Sequence, residues 1–307
     1  MVRTVGSPVS LSPGQAAHRS TGADTAGVTA AIARAAEATG ADFEYLLAQA
    51  RLESAMDPNA QARTSSAGGL YQFIDSTWLS TLDRHGHRLG YGDAADAIAN
   101  RGGRSAITDP ALSPAIHALK FNPLASAMMA GALAQDNTTE LARVLGRAPD
   151  ATELYMAHFL GAAGAGKFLT TLASAPSTSA AALLPQAASA NRAIFFSPNG
   201  HARSVEGVME LMRGKMSAAM AAGGSAPAHA GAGSIDTGFR QVAREFYPAP
   251  RISGGPYSAV AAAHGSDGVL RSRQSMADLL QSSFGSSQRD MPAHVRSAYD
   301  KLKAMDL

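Results

Sequence analysis

Apolar and polar positions repeat at helical spacing along much of this chain. An Ala-rich helix reads from Asp24 to Thr39 and stops at Gly40. A second begins behind Asp42, a suitable N-cap, and ends ahead of Pro58. Within it Phe43, Leu46, Ala50 and Glu53 share one face. Leu124 to Ala134 and Glu140 to Leu145 read as short helices packed on a core. Asp150 and Glu153, just after Pro149, form a capping-box-like start to another. Ser204 to Ala222 is a further helix, with Val205, Val208, Met212 and Met216 at near-helical spacing; such a stripe is core or a docking face. The pattern predicts a mainly α protein.

The most informative position is Glu53. It falls on the apolar face of its helix and close to the C-terminal end. Burial and the negative pole of the helix dipole both disfavour charge there. A carboxylic acid held neutral suits a general acid. The alternative is a solvated or capping glutamate, the commoner fate of a Glu near a helix end.

The residues after Glu53 narrow the choice. Ser54-Ala55-Met56-Asp57-Pro58-Asn59-Ala60 is a helix stop and loop, and Ser65-Ser66-Ala67-Gly68-Gly69-Leu70-Tyr71-Gln72 comes next. The second run reads either as a plain Gly-rich turn or as a loop whose backbone approaches a sugar closely. The Glu-Ser pair, the Pro-x-Ala behind it and the Ser-Ala-x-Gly-Leu-x-Gln run resemble the soluble lytic transglycosylases. The resemblance covers roughly residues 27 to 172. It implies a goose-type lysozyme-like catalytic domain (α+β, mostly helical) that cuts peptidoglycan. It also implies that Glu53 is catalytic. Ser54, Gly69, Leu70, Tyr71 and Gln72 would then line the sugar groove, with Ser65 or Ser66 orienting Glu53 or the substrate's acetamido group. Trp78 and Phe73 read as core.

A third block of that family, Ala-Tyr-Asn-x-Gly, is altered here to Ala157-His158-Phe159-Leu160-Gly161. Tyr155 lies one turn earlier and shares a face with His158 and Phe159. His158 either takes over the polar contact to Glu53 or is a satisfied buried histidine; Phe159 is a groove residue or core. No second carboxylate stands out as a partner for Glu53. The resemblance implies substrate assistance: Glu53 first gives and then takes a proton, and a 1,6-anhydromuramic end forms without water. Hydrolysis by a muramidase, and non-catalytic peptidoglycan binding in an assembly, are the competing readings.

Two other patterns carry less. Gly161-Ala162-Ala163-Gly164-Ala165-Gly166-Lys167-Phe168 nearly spells a phosphate-binding loop, but Phe168 has no hydroxyl and the run continues from a helix. His85-Gly86-His87 lacks further ligands, so neither metal nor cofactor is expected. The insertion Asp83 to Pro123 is rich in Arg, His and Gly; it reads as a solvated loop or as a contact for peptidoglycan carboxylates.

Composition changes the picture in three ways. The 307 residues include no Cys, so disulfides are excluded. The net charge of +2 comes with no basic stripe, which speaks against nucleic acid. No stretch approaches the ~20 apolar residues of a membrane span, and Met1 to Gly22 holds no apolar run of a signal peptide. Peptidoglycan as substrate nevertheless implies the periplasm or cell envelope; either the start is misassigned or export uses another route, such as a flagellar or other specialised secretion machine, and a phage or prophage origin also fits. The expected organisation is a disordered N-terminus over 1–22, the catalytic domain over 23–175, and a linker with helical extension over 176–222. A flexible Gly/Ala/Ser-rich linker over 223–270 and a helical tail over 271–307, including Pro292 to Met305, complete it. A secretion or flagellar assembly component is the partner expected for this C-terminal region.

Overall fold

The structure is a computed structural model; it describes residues 13–63 and 65–222, with four further positions at 296, 297, 300 and 303. Eleven helices and one small hairpin make up the described part. The long first helix, α1 (Pro13–Thr39), leads through Gly40 into α2 (Phe43–Ser54). The Gly-rich loop then delivers the chain to α3 (Asp75–His85) and the short α4 (Gly92–Asp96). Strands β1 (Ile98–Arg101) and β2 (Arg104–Ile107) pair antiparallel with Ile98 opposite Ile107 and Arg101 opposite Arg104. A 3₁₀ turn, α5 (Ser113–Ala118) and a second 3₁₀ turn (Leu119–Phe121) lead to α6 (Pro123–Leu145) and α7 (Ala151–Ser174). The short helices α8 (Ala180–Leu183), α9 (Pro185–Ala190) and α10 (Arg192–Phe195) precede α11 (Val205–Ala221).

The helix ends are set by side-chain chemistry. Asp42 caps α2 by accepting from the Tyr45 amide at 2.7 Å. Asn122 does the same for α6 through the Ala125 amide, and Ser204 for α11 through the Gly207 amide. At α7 the capping box is complete: the Glu153 amide donates to Asp150, and the Asp150 amide donates back to Glu153, each at 2.8 Å.

Four expectations change. The chain is already helical from Pro13, inside the stretch read as disordered. The insertion after α3 is organised rather than looped. It holds the hairpin, anchored where the Ser105 hydroxyl donates to Asp83 of α3 at 2.7 Å. Leu124 to Leu145 is one helix, not two. The polar run Gln135-Asp136-Asn137-Thr138-Thr139 is a weak helix former, yet α1 and α7 pack along α6. Arg84 and His85 of α3 also hold Asp136, with His85 Nε2 at 3.0 Å. Finally, residues 176–222 are no linker. Leu184, Phe195, Val208, Met209, Met212 and Met216 are buried in the same core as Leu46 of α2 and Tyr155 of α7. The Met stripe of α11 packs on α2 and α7, and Arg51 of α2 donates to the Ala219 carbonyl at 2.8 Å. Packing, not composition, draws this domain's boundary. The linker expected over 223–270 lies outside the described residues, as does nearly all of the tail over 271–307. No helix among the described residues is long and apolar enough to cross a membrane.

Candidate active site

The site grows from the C-terminal end of α2. This helix closes with Ala55 and Met56 at positive φ (53° and 69°), their amides bonding back to Arg51 and Ala50. A left-handed helix end normally uses glycine. Gln72 also has a positive φ, 47°. These three are the only non-glycine residues at positive φ among the described residues, and all of them flank Glu53 or its neighbouring loop. Strain of this kind collects where a fold holds a site in shape.

Glu53 is buried, with 5% of its surface exposed. Its Oε1 accepts from the Tyr155 hydroxyl at 2.9 Å, and His158 Nε2 lies 3.2 Å from the same oxygen. Both partners come from one turn of α7, their rings stacked at 5.9 Å between centroids. Burial and the nearby Glu53 push the Tyr155 hydroxyl well above its ordinary range, so it remains a donor. Glu53 Oε2 carries neither contact. Oε2 has no hydrogen bond among the described residues.

The Gly-rich loop is tied to this point. The Ser54 hydroxyl reaches both the Ala50 carbonyl at 3.1 Å and the Leu70 carbonyl at 2.8 Å. Gly69 has φ 78°, and a Cβ there would sit 1.9 Å from the Lys120 carbonyl oxygen. The loop can therefore pass the Leu119–Phe121 turn only as glycine. Gln72 Nε2 donates to the Ala60 carbonyl at 3.1 Å and the Gly69 carbonyl at 2.9 Å. Two carbonyl acceptors require the NH₂ group on that side, which leaves Oε1 of Gln72 as the acceptor it can offer elsewhere. Lys120, 4% exposed, bonds Asp75 and the Ser66 carbonyl and so pins the other end of the loop.

Some residues expected in the groove are not in it. Tyr71 is fully buried, and its hydroxyl donates to the Leu46 carbonyl at 3.2 Å; it supports α2 from beneath. Leu70 is likewise fully buried and contributes its carbonyl. Phe159, 2% exposed, packs against Phe195 at 6.4 Å between ring centroids. Ser65 and Ser66 are exposed, and their hydroxyls accept from the Ala67 and Asp75 amides. These bonds shape the loop, and neither hydroxyl is bonded to Glu53. Trp78 is core, its indole N–H bonded to the Ile116 carbonyl and its ring edge-on to Phe73.

Sequence reasoning overlooked Tyr45. It is 2% exposed, and burial, with the Glu53 charge second, raises its hydroxyl far above the ordinary range. Tyr45, Gln49 and Glu53 are spaced i, i+4, i+8, so a polar stripe runs up the inner face of α2. That spacing was the available signal. The stretch resembling a phosphate loop lies inside α7, which kinks at Gly161 (φ 73°, ψ 157°). His85 pairs with Asp136, and His87 lies 3.1 Å from Asp96. Among the described residues no group of three or more His, Asp or Glu side chains is placed to hold a metal. A cavity of about 300 Å³ between α6 and α7, lined by Val144, Ala162, Gly166 and Thr170, shares no residue with the Glu53 cluster. No protein-family model matches the chain.

Proposed function

We propose that this protein is a peptidoglycan lytic transglycosylase with a lysozyme-like catalytic domain, and that Glu53 is its single acid and base. The observation that carries the reading is the buried Glu53 whose Oε1 accepts from the Tyr155 hydroxyl while Oε2 has no hydrogen bond among the described residues. The sequence resemblance of the Glu-Ser pair and the Gly-Leu-Tyr-Gln run supplies the substrate class.

In this reading Glu53 gives the proton on Oε2 to the glycosidic oxygen between N-acetylmuramic acid and N-acetylglucosamine. The C1–O bond breaks, and the substrate's acetamido group supports the cation that develops at C1. The carboxylate left on Glu53 then takes the proton of the muramic C6 hydroxyl, whose oxygen closes onto C1. Glu53 is thereby returned to its acid form, and a 1,6-anhydro end results. Tyr155 stabilises the carboxylate between the two steps, because a hydrogen bond to a charged acceptor strengthens as charge develops. Gln72 Oε1 is an acceptor for a sugar hydroxyl or amide N–H. Gly69 seats the loop against Lys120, beside the strained turn that follows Glu53. Activity on this substrate places the protein at the cell envelope.

Mass spectrometry of products released from purified sacculi tests this directly. Wild type is expected to release anhydro-muropeptides and Glu53→Gln none. Reducing muramic ends would make the enzyme a hydrolase, and sacculus binding without turnover would make it a binding protein.

A further inference from the structure

Strand alternation sorts the side chains of the β1–β2 hairpin onto two faces. Ile98, Asn100, Ser105 and Ile107 share one face, which is held to the body of the protein. Ile98 is buried, and the Ser105 hydroxyl donates to Asp83 of α3 at 2.7 Å. The opposite face carries Ala99, Arg101, Arg104 and Ala106. Arg101 and Arg104 stand directly opposite each other, and both are exposed. Gly102 and Gly103 between them have φ 61° and 86°, as a tight two-residue hairpin turn requires. The Asn100 side chain accepts from the Gly103 amide at 3.1 Å and braces that turn.

Like charges directly opposite across a strand pair repel and weaken the pairing. A carboxylate beside them would relieve that cost. Yet neither guanidinium has a hydrogen bond or ion pair among the described residues. Residues 97–108 contain no acid. The acids nearest in sequence are engaged elsewhere: Asp83 with Ser105, Asp96 with His87 at 3.1 Å, and Asp109 with the Ala111 amide. The small side chains of Ala99 and Ala106 leave the outward face open beside the two arginines. The fold therefore holds two cations together, on a braced turn, with their donors unused.

We infer that Arg101 and Arg104 form a carboxylate clamp for the stem peptides of peptidoglycan, engaged while the glycan strand is cut at Glu53. The inference rests on the proposed activity. A guanidinium group binds a carboxylate through paired N–H donors, and stem peptides bring free carboxylates to the strand at each muramic acid. The hairpin is anchored at Asp83, eight residues along α3 from Asp75, where the Gly-rich loop ends. That is about 12 Å of helix. A polymer whose carboxylates repeat along its length bridges such a separation. Nucleic acid fits this face less well. Two cations fall short of the several phosphate contacts on which such binding depends, and the hairpin carries no aromatic ring on which a base could stack.

The test uses the full chain and glycan strands with intact stem peptides, either native or with their carboxylates amidated by carbodiimide and ammonia. Arg101→Gln/Arg104→Gln is compared with wild type and with Arg143→Gln/Lys167→Gln, which removes the same charge from α6 and α7. On native strands the hairpin variant is expected to raise KM about three- to tenfold with kcat within about twofold, the scale of two exposed ion pairs. On amidated strands wild type and hairpin variant should match. Added salt should raise the wild-type KM and leave that of the variant nearly unchanged. The variant should melt at or above the wild-type temperature, because the repulsion is gone. An unchanged KM on native strands, a loss that persists on amidated strands, or an equal loss in the α6–α7 variant would overturn the inference. Co-sedimentation with sacculi reads the clamp without turnover. Wild type is expected to bind native sacculi more than amidated ones, and the hairpin variant to bind both alike. If wild type shows this preference but cuts no glycan, the proposed activity falls and the carboxylate clamp stands. A wild type without the preference sinks the clamp whether or not it cuts.

Discussion

The Tyr155 hydroxyl donates to Glu53 Oε1 at 2.9 Å, joining two helices whose partners stand 102 residues apart in the chain. That bond crosses from α2 to α7 inside the core and gives a buried carboxyl group one fixed oxygen. Removing it is expected to lower stability and, on the proposed function, turnover. Tyr155→Phe leaves the ring and its packing in place but leaves Oε1 without its best donor. A loss of about 1–3 kcal/mol in urea unfolding is expected, together with a roughly 10–100-fold fall in glycan cleavage. Unchanged turnover in a folded Tyr155→Phe would remove this residue from the catalytic account.

The Gly-rich loop is predicted to tolerate no side chain at its centre. Gly69→Ala combines a positive φ of 78° with a Cβ placed on the Lys120 carbonyl. The expected cost is about 2–4 kcal/mol, read as a shift in the urea midpoint at constant slope. An alanine at Gly90, which also has positive φ but meets nothing within 4 Å, carries only the backbone part of that cost. The two substitutions should therefore separate clearly.

Acid should weaken the start of α7 in a way that one substitution reveals. Arg147 donates to both carboxylate oxygens of Glu153 at 2.7 Å, and the Asp150 amide adds a third bond. The Arg147 hydrogen bonds, against an opposing contribution from burial, hold Glu153 below the usual carboxylate range. A depressed folded-state value means stability that is present above the unfolded value, near 4.5, and lost as pH falls through the folded one. Glu153→Gln should lower stability by about 1 kcal/mol at neutral pH, the scale of a cap. Wild type and Glu153→Gln should converge in the strongly acid range, below the folded-state value. A constant gap down to that range would show that the ion pair does not carry the effect.

The Met stripe of α11 is predicted to be structural. Met212 is fully buried between α11 and the helices that carry Glu53 and Tyr155. Met212→Ala is expected to cost about 2–5 kcal/mol in equilibrium unfolding. A cost of a few tenths would mean that residues 205–221 dock weakly and form a separate unit.

Much of the local structure was legible from side-chain types alone. Asp42, Asp150 with Glu153, and Ser204 announce helix starts because each offers an oxygen to an unpaired amide a turn away. The apolar spacing around Leu46 and Ala50 places Glu53 inward, and burial is what the structure has there. Hydrogen bonding between neighbours in sequence and the 3.6-residue period are short-range properties, so one stretch of sequence contains them.

What the sequence could not contain is which long-range partner completes each local surface. Side-chain type leaves Tyr71 and Phe159 open as groove residues or core, and His158 open as a contact to Glu53 or a satisfied buried histidine. Only the packing of α2, α7 and α10 decides that the first two rings fill core while Tyr155 and His158 reach the carboxyl group. Likewise, Ala- and Ser-rich segments read as linker by composition. The structure draws residues 180–221 into the core because α2 and α7 leave apolar faces that α11 covers. Helix identity was a matter of neighbours along the chain. The surroundings of Glu53 were set by neighbours a hundred residues away, since burial and hydrogen bonding at a carboxyl group depend on whatever the fold brings beside it.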